Sequence, residues 1–223
     1  MKIVKRQMML HHAVSMIGGF MGGYTILNFS DIFPNAQTGN LIRLVLNVTQ
    51  GDFSAIGFMV LLFVIYAAGN VFYAVVRRHI RISMKIVSFI VTSVTIALVG
   101  ILASMGTLAA VMPVAFAMPV QWNAFKIAGG NSSATTFSSN NVRQAVMQLT
   151  VWFMDKDKKA LRVSRFYWAT LLCFHIGVAA AGLLSLFFSA QSIWFCYIFV
   201  GLAVAAYYRY ESEKIRAFSG TDK

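Results

Sequence analysis

Six stretches of this chain are each long and apolar enough to cross a bilayer: residues 7–28, 56–76, 86–105, 107–125, 166–188 and 192–208. A helix needs about 20 apolar residues to span ~30 Å of hydrocarbon. Inside lipid every backbone amide and carbonyl must be paired within the protein, so such runs can only be helices. The balance of residues agrees: 58% are hydrophobic, 12% are charged, and mean hydropathy is +0.69. Soluble domains carry roughly twice that share of charge. A soluble enzyme, a disordered chain and a secreted disulfide scaffold are excluded. The first run lacks the short core and small-x-small site of a cleaved signal, so it is expected to remain as a first span.

The net charge of +12 would suggest nucleic acid in a soluble protein. Here the charges fall between the apolar runs, so they are expected to report membrane orientation, with no nucleic-acid partner. Cys173 and Cys196 lie in apolar runs without any metal-ligand or redox spacing, and no metal or cofactor is expected. The seven acidic residues lie in loops or tails. No phosphate loop and no Ser–His spacing marks a nucleophile and base, so the chain is not expected to be an enzyme.

Residues 33–50 (FPNAQTGNLIRLVLNVTQ) and 132–154 (SSATTFSSNNVRQAVMQLTVWFM) break the pattern. Each opens on a polar, turn-prone stretch and continues as a short helical pattern too polar for a comfortable span. Both are expected to be re-entrant or broken helices. They also match each other at an offset of 100, which sets Asn40 against Asn140 and Arg43 against Arg143. Residues 1–106 and 107–223 therefore read as two copies of one unit.

All lysines and arginines other than Arg43 and Arg143 then fall on one side of the membrane. By the positive-inside rule that side is the cytoplasm, and it holds both termini. Three spans per half is an odd number, so the second copy is inverted. The expected fold is an all-α integral membrane protein: six transmembrane helices plus two short re-entrant helices, in two inverted-topology repeats. The second half ends in a cytoplasmic tail. That plan recurs in transporters and channels, with the broken helices meeting near the midplane.

The run Ala36–Leu41 (AQTGNL) carries a resemblance, together with Gly18-Gly19-Phe20, Tyr24-Thr25, Gln50-Gly51-Asp52, Gln121 ahead of Ala124, and the Thr135-Thr136 region. Together these resemble the bacterial YoaK family over nearly the whole chain. The resemblance implies a multi-pass protein of the bacterial inner (plasma) membrane and supplies no substrate. The family often has an acidic residue where this chain has Gly22, and Thr-Gly where it has Ser138-Ser139.

The candidate binding residues are Gln37, Thr38, Asn40, Arg43, Gln121, Asn123, Ser138, Ser139, Asn140 and Arg143. Two unpartnered arginines near two positive helix ends would favour an anionic group. Alternatively each arginine satisfies carbonyls of the opposite loop as a structural lock, or snorkels to the interface. The hydroxyls at 38, 138 and 139 suit either helix caps or ligand contact. Gln121 and Asn123 suit either interhelical bonds or a lined cavity. The expected function is a transporter or channel for a small, anionic solute held between the two broken helices. The alternative is a non-transporting scaffold or lipid-interacting regulator. In either case the bilayer is a partner, and the Gly18-Gly19 and Gly22-Gly23 pairs offer a surface for a homo-oligomer.

Overall fold

The computed structural model describes residues 2–220; Lys223, one of the basic residues of the tail, lies outside them. The helices are α1 (Lys2–Asn28), α2 (Gln37–Gln50), α3 (Phe53–His79), α4 (Met84–Ser104), α5 (Val111–Phe125), α6 (Ser139–Asp155), α7 (Lys158–Phe188) and α8 (Cys196–Phe218). Short 3-10 turns, Leu108–Ala110 and Ser189–Phe195, lead into α5 and α8. Four stretches have the length and composition of membrane spans: Phe53–His79, Met84–Ser104, Leu108–Phe125, and Lys158–Phe218, which joins α7 to α8. Their outer faces expose rows of large apolar side chains, among them Val60, Val64 and Val71 on α3, Ile90, Val94 and Leu98 on α4, and Leu172 and Leu183 on α7. A soluble protein does not leave patches of that size in water. The chain is a multi-pass membrane protein.

α1 is less apolar because it is the interior helix. Leu10, Val14, Ile17, Phe20, Met21 and Tyr24 are all at most 1% exposed. It packs against α7 and α8, while α5 packs against α3 and α4; α2 lies on α3, and α6 on α7. Glycine makes these crossings close. A Cβ on Gly19 would collide with the Phe174 carbonyl, one on Gly177 with the Met16 carbonyl, and one on Gly69 with the Phe116 carbonyl. The glycines of α1 are thus consumed inside the chain, Gly18 against Thr135 and Gly23 against Val178. The small residues read as a surface for a homo-oligomer are occupied within the chain, by α7 and by the segments before α2 and α6.

α2 has 14 residues and α6 has 17, giving roughly 21 and 26 Å at 1.5 Å per residue. Both fall short of the hydrocarbon thickness. Gly51 (φ 71°) ends α2 in the left-handed region, and its amide turns back to the Asn47 and Val48 carbonyls. Sequence patterning did not indicate the two-stranded hairpin Ile127–Ala128 and Asn131–Ser132. Its turn, Gly129-Gly130, takes φ of 59° and 82°, values open to glycine at little cost. Gln7 clamps the hairpin to α1: its Oε1 accepts from the Gly129 amide and its Nε2 donates to the Ile127 carbonyl.

Candidate functional site

The first turns of α2 and α6 open into one cavity of about 620 Å³, lined by Gln37, Thr38 and Gly39 from one side and Ser138 and Ser139 from the other. Neither helix start is capped by a side chain: Ala36 precedes α2 without a capping bond, and Ser138 precedes α6 without one. The first amides of a helix have no partner within it, and they carry about half a positive charge at each start. The hydroxyls of Thr38, Ser138 and Ser139 therefore stand beside amide donors that they do not consume. Most of the remaining wall is aromatic: Phe33, Tyr66 on α3, Trp122 on α5, Phe137 and Phe174 on α7, with Ala36 and Leu41 beside them. Trp122 and Phe137 meet edge-to-face at 5.0 Å between ring centroids. A group placed here meets donors at one end and apolar faces around its body.

Four of the ten expected residues, Gln37, Thr38, Ser138 and Ser139, line this cavity. Three others hold the scaffold. Asn40 donates to the Phe33 carbonyl at 3.0 Å and the Ala36 carbonyl at 3.4 Å, folding the loop back onto its own helix. Gln121, 1% exposed, donates to the Val14 carbonyl at 3.4 Å and to Thr135 Oγ1 at 3.3 Å. Asn123 donates to Asn70 Oδ1 at 3.0 Å, tying α5 to α3.

The arginines are not brought together. Arg43 is exposed and points Nη1 at the Ser30 carbonyl, 3.5 Å away. Arg143, also exposed, donates to Asn140 Oδ1 at 3.3 Å. With Asn140, Gln144 and Gln148 it lines a separate polar cavity of about 490 Å³. Residue 43 stands six positions beyond the start of α2, roughly 9 Å along its axis, and α2 lines the cavity only with Gln37, Thr38, Gly39 and Leu41. Neither arginine reaches the opposite loop: Arg43 contacts a carbonyl of its own loop and Arg143 a side chain of its own helix.

Asn141 makes the bonds that match those of Asn40: it donates to the Ala134 and Phe137 carbonyls, seven and four residues back, as Asn40 does to Phe33 and Ala36. Asn140, set against Asn40 by the sequence match, makes a different contact, to Arg143. His11 is 1% exposed; it donates from Nδ1 to the Phe125 carbonyl at 2.9 Å and sets Nε2 2.9 Å from Ser133 Oγ. At position 22 a Cβ would meet Phe33 and Asn35 Nδ2, so this packing has no room for an acidic side chain there.

Sequence reasoning missed the aromatic wall because phenylalanines and tryptophans in apolar runs look like lipid-facing residues. It also passed over Asn35, whose Nδ2 reaches the Gly18 carbonyl at 2.7 Å and the Thr136 carbonyl at 3.0 Å. A polar residue after Pro34, in a segment too short to span, was the available signal. Among the described residues no cluster of His, Cys, Asp or Glu could hold a metal. A family model described as "Protein of unknown function (DUF1275)" matches residues 10–206. No curated protein and no solved structure matches the chain.

Proposed function

Because the chain belongs to the DUF1275 family, whose description assigns no function, we propose its role from the cavity: it is a transporter or channel for a small solute with an anionic group and an apolar body. The observation that carries this is the convergence of two uncapped helix starts on one aromatic-lined space. Amide donors at two positive helix ends favour an anion, and an apolar wall with a few placed polar groups is the usual make-up of a small-molecule site. The anionic group is a carboxylate or a group of like size at Thr38, Ser138 and the adjacent amides. The body lies against Tyr66, Trp122, Phe137 and Phe174.

Six crossings and two inverted repeats, 1–106 and 107–223, complete the reading. Three features support it. Gly69 contacts the α5 backbone at Phe116 as Gly177 contacts the α1 backbone at Met16. The cavity pair Tyr66 and Phe174 keeps the same spacing as Gly69 and Gly177. The packing of α1 on α7 and α8 is mirrored by that of α5 on α3 and α4. A site between inverted halves is suited to alternating access.

Gly39 supplies the test. It lines the cavity, and a Cβ built on it meets nothing within 4 Å. Gly39→Leu fills the space without disturbing packing, and removing a helix glycine favours α2 by about 1 kcal/mol. In proteoliposomes the native protein is expected to pass small aromatic or aliphatic carboxylates, and Gly39→Leu to lose that flux while eluting and unfolding like the parent. Absence of flux for every carboxylate tested, with no quenching of tryptophan fluorescence on their addition, would favour the scaffold alternative.

A further inference from the structure

Three buried oxygens lack a hydrogen-bond partner where the two broken segments cross α1 and α5: Asn35 Oδ1, Gln121 Oε1 and Thr136 Oγ1. All three residues are at most 1% exposed, and shared bonds place them together. Asn35 Nδ2 sits on the Gly18 carbonyl and Gln121 Nε2 on the Val14 carbonyl. Those carbonyls lie four residues apart on α1, about one helical turn or 5.4 Å. Thr135 and Thr136 bridge the two amides: Gln121 Nε2 lies 3.3 Å from Thr135 Oγ1, and Asn35 Nδ2 lies 3.0 Å from the Thr136 carbonyl.

The bonds to α1 also orient both amides. Each nitrogen is turned to a helix carbonyl, so each oxygen is turned away, and flipping either amide would set oxygen against oxygen. Gly18 keeps the arrangement tight, because a Cβ there would collide with the Thr135 carbonyl. Buried acceptors left unpaired lose their hydration without return. Three at one crossing can be met by one common partner. Two are amide oxygens, which can only accept; the third is a hydroxyl, which accepts once its proton turns away. The partner must therefore be a cation or a donor.

We infer that Asn35 Oδ1, Gln121 Oε1 and Thr136 Oγ1 form a binding site for a small dehydrated monovalent cation of sodium's size. Neutral oxygens suit a single charge. A divalent ion gives up its hydration reluctantly and is held in proteins with carboxylates, and none of the chain's acids lies in an apolar run. The site adjoins the solute cavity through the chain itself, since Phe33 and Ala36 flank the segment carrying Asn35, and Phe137 follows Thr136. Positive helix starts alone disfavour the cation, and an anion between them reverses that. Each ligand then raises the affinity for the other by one factor. This coupling rests on the function proposed above; cation binding stands on the three oxygens alone.

The test is thermal unfolding of the purified full chain in choline chloride, with sodium or potassium chloride substituted at constant ionic strength. The native protein is expected to gain stability saturably with sodium, less with potassium and not with choline. Thr136→Val keeps the side-chain shape and deletes one oxygen. It is expected to unfold at a higher temperature than the native protein in choline alone, because an unpaired buried hydroxyl is gone. Its apparent Kd for sodium should rise roughly tenfold or more, while Thr136→Ser keeps the native response. If the native protein shows no sodium-specific shift, the inference is wrong: the oxygens are unfilled where Thr136→Val is still stabilised, and hold only water where it is not. An unchanged sodium response in Thr136→Val overturns it equally. A sodium response that persists when no carboxylate binds leaves this site standing and removes the solute reading.

Discussion

At the residue scale, this protein is organised by where glycine lets backbones touch. The paired glycines of α1 were readable in the sequence as close-approach positions, because small residues one turn apart serve that purpose in membranes. Their partner was not readable: it is α7 of the same chain, since Gly177 answers Gly19 on the facing helix. Pattern alone cannot separate an internal crossing from one between two chains. The distinction has a measurable consequence. Gly177→Ala sets a methyl into the Met16 carbonyl, and overpacking of this kind costs about 1–3 kcal/mol. Gly201 lies inside α8 with nothing within 4 Å of a built Cβ, and Gly201→Ala should gain roughly 0.5–1 kcal/mol by restricting the unfolded chain. Thermal unfolding of the two variants in one detergent is expected to shift in opposite directions. A loss in both would mean that the close approach of α1 and α7 is not the source.

At the element scale, the two short helices were visible as apolar runs too polar and too short to cross. Their register was not visible. Matching identical letters paired Asn40 with Asn140, whereas the carbonyls each side chain holds pair Asn40 with Asn141. A letter match does not tell which asparagine collects the loop carbonyls; in each loop it is the one whose amide reaches the carbonyls seven and four residues back. These bonds fix the strands of chain that bring α2 and α6 to the cavity. Asn40→Ala or Asn141→Ala leaves buried carbonyls unpaired, at about 1–3 kcal/mol each. Both should become more sensitive to protease at residues 33–36 and 133–138. Asn140, whose Oδ1 accepts from Arg143 in an outer cavity, should tolerate alanine with little change. Equal damage at positions 140 and 141 would restore the register read from letters.

At the scale of the whole molecule, the basic residues and the packing make the same statement about direction. Arg77 at the end of α3, Lys85 at the start of α4 and Lys126 at the end of α5 line one cavity. The hairpin that follows Lys126 is bound by Gln7 near the start of α1, and Gly129 shares a cavity with Lys159 and Arg162 at the start of α7. Lys85 also sits 4.4 Å over the ring of Tyr210, near the end of α8. The ends of six helices that carry cations thus lie together. At the other end Asn28 meets Ser185, Ser104 meets Gln191, and Tyr24 donates to the Ala190 carbonyl, without a lysine or arginine among them. α1 leaves the basic end whereas α5 arrives at it. Because cytoplasmic loops collect lysine and arginine, the basic end is expected to face the cytoplasm. In a background with Cys173 and Cys196 replaced by alanine, a cysteine at Asp52 should react with a membrane-impermeant maleimide in intact cells. A cysteine at Lys158 should react only after permeabilisation. Labelling of position 158 from outside would reverse the orientation, and labelling of both from outside would require one of the short helices to cross.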